Sequence, residues 1–564
     1  MTKRWVIAKP EPALTETLAR EVDLALPLAQ VLVNRGFRDA DAASRFLNPQ
    51  LRQLGDPFNL PQMSPAVDRI LQAMERNQRI VIYGDYDVDG VTSSALLRLV
   101  LRQAGATVAN FLPLRMDEGY GLTADGIARC LKEHKPQLLI AVDCGTGSVN
   151  EIADLKRHKV DTIVLDHHEP GKELPDCVAL VNPKSVATGK ADLGYLASVG
   201  VAFKLAHALL KRDRQLAERI DLRDHLDLVA VGTVADVVPL IGENRILVRA
   251  GLDRLPQTQK IGLRALMDIA EVPDKVSPYH IGFRIGPRLN AAGRLSDAMT
   301  ALELLLTNDA ARAREMAGLL DQHNAERQRI EERIVEEAMV LARAREQDRV
   351  MVLAGEGWHV GVIGIVASRV QQEFYKPTIV IGIEAGMGKG SCRSVAGFSV
   401  VGALQHCAAL LDRFGGHEMA AGLSVKAGKI DELRRKLNAF AATELKNDDL
   451  SQRVRVDAMA KLADFDAEFF GQLARFEPCG TENPTPVFAV EGVRLRGAPR
   501  VVGKNHLRFN VTDGNASAQA IWWGMGDFEF PQGKFDVAFA PEINEYRGVE
   551  NVQLKIRDVR ASAA

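Results

Sequence analysis

The 564-residue chain has no apolar run long enough to cross a bilayer as a helix, and its 46% hydrophobic and 26% charged residues are ordinary for a globular protein. No membrane partner is expected. The opening MTKRWVIAKPEPA has basic residues but lacks the apolar core and small-residue cleavage site of a secretory signal. Cysteines are few, at positions 130, 144, 177, 392, 407 and 479, and none forms a CxxC pair. That argues against a zinc site and for a reducing compartment, so a cytoplasmic location is expected. Also missing are a GxxxxGK[ST] loop, a GxGxxG at a strand-to-helix turn and a convincing Ser/His/Asp set, which leaves ATPase, dinucleotide-binding and covalent-hydrolase readings with little support. Net charge is only −2, so any nucleic-acid surface has to be a local basic groove.

What is present is length for three or four domains. Residues 1–55 read as a helical lead-in, with TETLAREVDLALPLAQVLVNRG ending at Gly36 as a C-cap would. From Pro65 an amphipathic helix leads to the strand RIVIYG, and strands and helices then alternate through PQLLIAVDCG and DTIVLDHH. Alternation of this kind implies an α/β domain over 56–300, a parallel sheet with helices on both faces that binds ligands at the carboxyl ends of its strands. Residues 301–347 are Pro-free and helically periodic, which predicts one long connecting helix. A second α/β unit follows over 348–447. The remaining 448–564 break into short β-like pieces separated by Gly, Asn and Asp turns, which predicts a small barrel of the OB type.

The chemistry gathers at the strand ends. VIYGDYDVDGVTS sets Asp85, Asp87 and Asp89 two residues apart, pointing the same way if the strand continues. Like charges that close repel unless a cation sits among them. Asp143 follows LLIAV, Asp166, His167 and His168 follow TIVL, and Asp236 interrupts the apolar run LDLVAVGTVADVVPL. Any one of these reads equally well as a helix cap or a solvated loop residue; together they suit two divalent cations. Hard oxygen ligands mixed with imidazole favour Mn²⁺ or Mg²⁺, with zinc an option in vitro. In the tail, Arg494, Arg496, Arg500, Lys504, Arg508, Trp522, Trp523 and Tyr546 supply the basic and aromatic groups with which small barrels bind single strands. One of the two adjacent tryptophans is expected inside and the other outside.

GDYDVDG, VDCG, LDHH and GTVADVVPL resemble, in order, the four motifs of the DHH phosphoesterase superfamily. PLRMDEGYGL, FRIGPRLNAAGRL, WHVGVIGIVASR, GKGSCRS and FGGHEMAAG narrow the likeness to its single-strand-specific exonuclease family. The resemblance implies a metal-dependent enzyme that degrades single-stranded DNA from 5′ to 3′ to mononucleotides in recombination and repair. By the same resemblance Asp87, Asp89, Asp143, His167 and Asp236 are metal ligands, Asp143 bridging the two ions. His168 either ligates or sits beside the scissile phosphate, and Asp166 either ligates or orients His167. Asp85 either ligates or only hydrogen-bonds, since Tyr83 stands where the superfamily often has a ligating His. Arg115, Ser391 and Arg393 match residues that hold a terminal 5′ phosphate, and forked guanidinium groups suit that task. Arg288, Asn290, Arg294, His359 and His417 rank as DNA contacts. The segment YLASVGVAFKL departs from the family pattern ahead of Val201, with an effect expected on helix packing alone. A single-strand-binding protein and a RecQ-type helicase are implied partners of a monomer. Two rivals are a phosphodiesterase of short oligoribonucleotides or cyclic dinucleotides, and a binding protein that has lost its metals; the intact acidic set speaks against the second.

Overall fold

In the strand Ile80–Gly84 every residue is buried, because Ile80 and Ile82 face one apolar core while Val81 and Tyr83 face another. It lies in a five-stranded, all-parallel sheet in the order Val108–Phe111, Ile80–Gly84, Leu138–Val142, Asp161–Leu165, Ala179–Val181. The helices Val88–Gln103, Ser198–Arg212 and Leu226–Ala235 cover one face, and Ala124–His134 and Val149–Arg157 cover the other. This is the parallel α/β sheet expected from the alternating pattern. The computed structural model describes residues 3–114, 118–186, 191–295, 297–446, 450–546 and 549–562.

The chain forms two compact units, Trp5–Asp321 with Val454–Ala564, and Gln322–Arg453 with the first four residues. In the first unit the N-terminal helices Pro12–Val22, Leu26–Asn34 and Ala40–Leu47 share a core with the C-terminal β-domain, Phe46 meeting Phe476 edge-on at 5.9 Å. Gly36, with φ 88°, ends the second of these helices in the left-handed region, as expected of a C-cap. Arg245, only 2% exposed, binds this assembly to the parallel-sheet domain by donating to the carbonyls of Phe46, Arg475, Phe476, Glu477 and Pro478. The β-domain strands run in the order Ala458–Met459, Phe488–Leu495, Phe535–Tyr546, Val549–Ala561, Ser517–Trp522, His506–Thr512, Arg500–Val502. Pairing of Phe488–Leu495 with His506–Thr512 closes them into a barrel.

The single long helix expected over 301–347 is broken. Met299–Leu306 ends before Thr307, and Asp309 then accepts from the amides of Ala311 and Arg312 to start a separate 34-residue helix, Ala310–Arg343. Thr, Asn and Asp in succession favour a cap over a helix interior. In the second unit a mixed sheet runs Leu411–Gly416, Ala420–Lys426, Met387–Arg393, Thr378–Glu384, Met351–Glu356, flanked by the helices Ile363–Phe374 and Ile430–Glu444.

Candidate metal centre

After Gly84 the strand does not continue. The chain turns through Asp85 and Tyr86, and Asp87 becomes the N-cap of Val88–Gln103, its Oδ1 accepting from the amides of Asp89 (2.9 Å) and Gly90 (3.1 Å). The three carboxylates are therefore arranged by a loop and a helix start, not by strand alternation. Gly90 is required, because a Cβ there would lie 2.5 Å from the Asp85 carbonyl oxygen. Asp89 reaches across to the N-terminus of Ser198–Arg212 and accepts from the amides of Ser198 (2.7 Å) and Val199 (2.8 Å).

Asp143, 2% exposed with φ 62°, ends the strand Leu138–Val142, and its Oδ1 accepts the Ser198 hydroxyl at 2.9 Å. The departure ahead of Val201 thus touches two candidate ligands, which corrects the expectation that it concerned helix packing alone. His167 Nε2 stands 3.6 Å from Asp143 Oδ1 and 3.4 Å from Asp236 Oδ2, and Asp236 is the C-cap of Leu226–Ala235. Asp166 does not hold the His167 ring: its Oδ1 takes Nδ1 of His168 at 2.7 Å and the backbone amides of His167 and His168.

These contacts leave matched vacancies in hydrogen bonding. Nε2 of His167, Oδ2 of Asp236 and both oxygens of Asp85 are buried without a hydrogen-bond partner among the described residues. Burial, then Asp87, pushes Asp89 up to about 7 and Asp85 well above the carboxylate range; the Tyr86 and Gly121 amides oppose the Asp85 shift without closing hydrogen bonds of normal geometry. Burial, then the Asp89 charge, pushes Asp236 up to about 9. Asp143 is raised well above its usual range by burial and then by Asp87, Asp89 and Asp236. Burial holds His167 down, to about 3, so its imidazole is neutral, as ligation requires. Asp143, His167 and His168 form one set with donor atoms within 4.8 Å, Asp89, His167 and Asp236 another, and Asp85, Asp87 and Asp143 a third. Carboxylates this buried and close are costly without compensating positive charge, and the donor set of hard oxygens with neutral imidazole fits divalent cations.

His168 lies between Asp166 and a residue the motif reading passed over, Tyr120, whose hydroxyl is 3.1 Å from Nε2 and donates to the Asp143 carbonyl at 3.3 Å. Tyr120 donating to the Asp143 carbonyl while His168 Nε2–H donates to Tyr120 Oη is the arrangement that an imidazolium at His168 satisfies. Burial opposes that state, but the Asp166 hydrogen bond and charge, then Asp87 and Asp89, raise its pKa. Tyr120 sits within PLRMDEGYGL, and only its contact with His168 sets it apart from an ordinary loop tyrosine.

Other candidates divide. Arg115 lies outside the described residues, as does the Tyr546 side chain. In the second unit, Arg393 is half-buried and bonded to the hydroxyls of Ser368 (3.1 Å) and Ser391 (3.2 Å), with no carboxylate partner among the described residues. Gly364, in the first turn of Ile363–Phe374, leaves this group open: a Cβ would meet Ser391 Oγ at 3.1 Å and Arg393 Nη2 at 3.3 Å. His417 is exposed in a hairpin, and His359 Nδ1 accepts the Gly361 amide. Arg288 is paired with Asp321 at 2.8 Å, and Asn290 accepts the Val88 amide at 3.2 Å, so both brace the acidic loop or its surroundings. Arg494, Lys504 and Arg508 are exposed, Arg508 directly opposite Arg500. Trp522, 5% exposed against Phe528, belongs to the barrel core and not to a stacking surface; Trp523, 51% exposed and 4.5 Å from His506, takes the outer place.

Family profiles match three stretches: the DHH family, N-terminal domain over residues 79–233, the DHHA1 domain over 347–443, and the RecJ OB domain over 456–558. The single-stranded-DNA-specific exonuclease RecJ of Bacillus subtilis is 37% identical, with 99% of this chain and 71% of that protein covered. Its namesake in Escherichia coli is 33% identical over 96% of this chain and 97% of that one. Among solved structures, Thermus thermophilus RecJ in complex with Mn²⁺ superposes with a TM-score of 0.86 at 32% identity, covering 100% of this chain and 80% of that one, and its Mg²⁺ complex with 0.78 at 30% over 100% and 79%. With identity of this degree sustained along nearly its whole length, the chain belongs to the RecJ family of the DHH superfamily.

Proposed function

We propose that the protein hydrolyses single-stranded DNA from its 5′ end to mononucleotides, as its relatives' name and the 5′-phosphate assignment above suggest. The observation that carries the reading is the convergence of Asp143 and Asp236 on His167 Nε2, at 3.6 and 3.4 Å, without a hydrogen bond forming, with buried atoms that have no partner among the described residues. Asp87, Asp89, Asp143, His167 and Asp236 would hold two Mn²⁺ or Mg²⁺ ions, Asp143 shared between them, with Asp85 in reserve on the Asp87 side. When bound, the pair supplies water activation and charge neutralisation at the phosphorus. Asp166 and Tyr120 hold the two ring nitrogens of His168, so the ring would give a proton to a phosphate or leaving oxygen only by exchanging its Tyr120 contact for the substrate. Asp89 carries a second task, since its carboxylate also caps the helix that delivers Ser198.

Single strands are supported as substrate by the barrel face bearing Arg500, Arg508, His506 and Trp523. Arg500 and Arg508, paired like charges, are better satisfied against phosphate than alone. The same reading has the protein act in the cytoplasm as a monomer, beside a single-strand-binding protein and a RecQ-type helicase. The test is product analysis of 5′- and 3′-labelled DNA with and without Mn²⁺, for wild type and Asp143→Asn. Asparagine tolerates the φ of 62° at this position, so the change removes charge while keeping the backbone. Loss of turnover with an intact fold is expected. Near-normal activity of Asp143→Asn would remove the two-metal reading, and a 3′-to-5′ product ladder from wild type would overturn the polarity.

A further inference from the structure

Where the N-terminal helices meet the C-terminal β-domain they leave a cleft of about 900 Å³, lined by segments of residues 7–30 and 457–472. None of its residues belongs to the metal centre or to the Arg393 group. Ile7, Leu26 and Met459 line it at 40%, 55% and 39% exposure, large apolar side chains that the shared core leaves to solvent. The polar groups of its floor are already satisfied: the Thr15 hydroxyl donates to Gln30 Oε1 at 2.9 Å, and the Ala25 amide to Gln472 Oε1 at 2.6 Å. No lining side chain among the described residues has a buried polar atom without a partner. Such a floor calls for apolar contact and not for a ligand rich in hydrogen-bonding groups. Pro12 and Pro27, in the first turns of Pro12–Val22 and Leu26–Asn34, stiffen its edge, which keeps the cleft preformed.

The charge of the cleft has one sign. Glu16, Asp23, Asp464, Asp466 and Glu468 line it against a single lining cation, Lys461. Asp464 and Asp466 accept the amides of Lys461 and Phe469, and Glu468 accepts from the Gln472 side chain, so these contacts leave the negative charge in place. Among the described residues none of the five carboxylates forms an ion pair. A polyanion is repelled here, which sets the cleft apart from any DNA path and makes it complementary to positive charge. Carboxylates on an ordinary surface are merely solvated; these flank an apolar floor that already exposes three large side chains. Apolar anchors inside with charge at the margin is the arrangement by which grooves take peptide segments.

We infer that this cleft docks an extended segment of a partner protein in which one or two bulky apolar side chains are flanked by lysine or arginine. The apolar groups cover Ile7, Leu26 and Met459 while the cations meet the carboxylates, and an acidic segment is turned away. The experiment pans a displayed library of random peptides on the full chain with Mn²⁺ bound, so that the metal centre is occupied and does not collect cations. Enriched sequences should combine leucine, methionine or aromatic residues with lysine or arginine. The strongest is then made as a labelled peptide and its Kd read by fluorescence anisotropy. Binding should weaken as salt is raised, because the rim charges are exposed. Glu16→Lys with Glu468→Lys should weaken it about tenfold or more, Glu16→Gln with Glu468→Gln by less, and Leu26→Ser about fivefold. All three variants should melt and cut single-stranded DNA as wild type does, since the exchanged side chains are exposed. Enriched sequences without basic residues, no enrichment over an unrelated protein, or a selected peptide bound equally by wild type and the charge-reversed variant would each overturn the proposal.

Discussion

The hydroxyl of Ser198 donates to Asp143 Oδ1 at 2.9 Å while the backbone N–H of the same residue donates to Asp89 Oδ2 at 2.7 Å. One residue at a helix start thus orients two candidate ligands that come from different strand ends. Only the first contact belongs to the side chain, so Ser198→Ala should leave Asp89 capped and free one oxygen of Asp143 to rotate. The expected outcome is Mn²⁺ affinity weakened about 10-fold or more, with activity falling in parallel, as for other partners that orient metal ligands. Calorimetric titration with Mn²⁺ reads this directly, and affinity equal to wild type would reduce the Ser198 hydroxyl to a packing role.

The raised carboxylates make metal-free stability depend on pH in a definite direction. Asp236, at about 9, keeps in the folded state a proton that the unfolded chain, near 3.8, has already released, and Asp85 and Asp143 behave alike. The stability from those protons is present at low pH and drains away as pH rises through the folded values. His167 works the other way, but only below its ordinary 6.5, because its folded value of about 3 makes the folded state reject a proton the unfolded chain accepts. In EDTA, therefore, Tm should fall from pH 7 to about 9, the window in which His167 no longer opposes the carboxylates and the raised His168 loses its proton in the same direction. With saturating Mn²⁺, which binds the deprotonated form, the fall should disappear or reverse. Melting curves at several pH values, with and without the metal, make the comparison; a metal-free Tm that rises across this window would show that the acids are already ionised.

The parallel sheet and the four strand-end motifs were legible because both rest on local pattern: short apolar runs bounded by turns, then a polar residue at the carboxyl end. What escaped depends on contacts between distant segments. Nothing near Ser198 announces that it meets Asp89 and Asp143, which lie more than fifty residues earlier, and Tyr120 looks like any loop tyrosine until His168 is beside it. Alternation was extended one turn too far at Asp85, where Asp87 and its caps start a helix instead. It served well at Trp522 and Trp523, whose opposite burial follows from adjacent positions in and beyond one strand. The joint core of the N-terminal helices and the barrel lay out of reach, since apolar spacing tells a helix which face to bury but not against what.

That joint core is tied to the catalytic sheet by Arg245, whose guanidinium sits 4.0 Å from the Phe46 ring centroid and, among the described residues, is bonded to carbonyls alone. Burial drags its pKa down to about 10, still well above neutral, so it is charged and its donors are strong. Arg245→Met keeps much of the apolar stem but strands the carbonyls of residues 475–478. A loss on the order of 3 kcal/mol or more is expected in chemical denaturation, with Mn²⁺ affinity unchanged. A loss below about 1 kcal/mol would mean that water replaces the guanidinium at little cost.

The Arg393 group separates end recognition from chemistry. Its guanidinium is half-buried, spent on two hydroxyls and the Cys392 carbonyl, and faces no carboxylate among the described residues, which leaves a desolvated cation beside an open helix turn. Burial lowers its pKa, the sign of a charge not yet compensated. A terminal phosphate would compensate it and would determine where the strand stops. Wild type should therefore prefer 5′-phosphorylated over 5′-hydroxyl oligonucleotides. In Arg393→Ala a lost charge-assisted contact of roughly 1.5–3 kcal/mol should erase about tenfold or more of that preference. Arg393→Lys should recover part of it, since a point charge replaces the fork. Mn²⁺ binding should be normal in both variants. A preference as strong in Arg393→Ala as in wild type would place the phosphate pocket elsewhere on the protein.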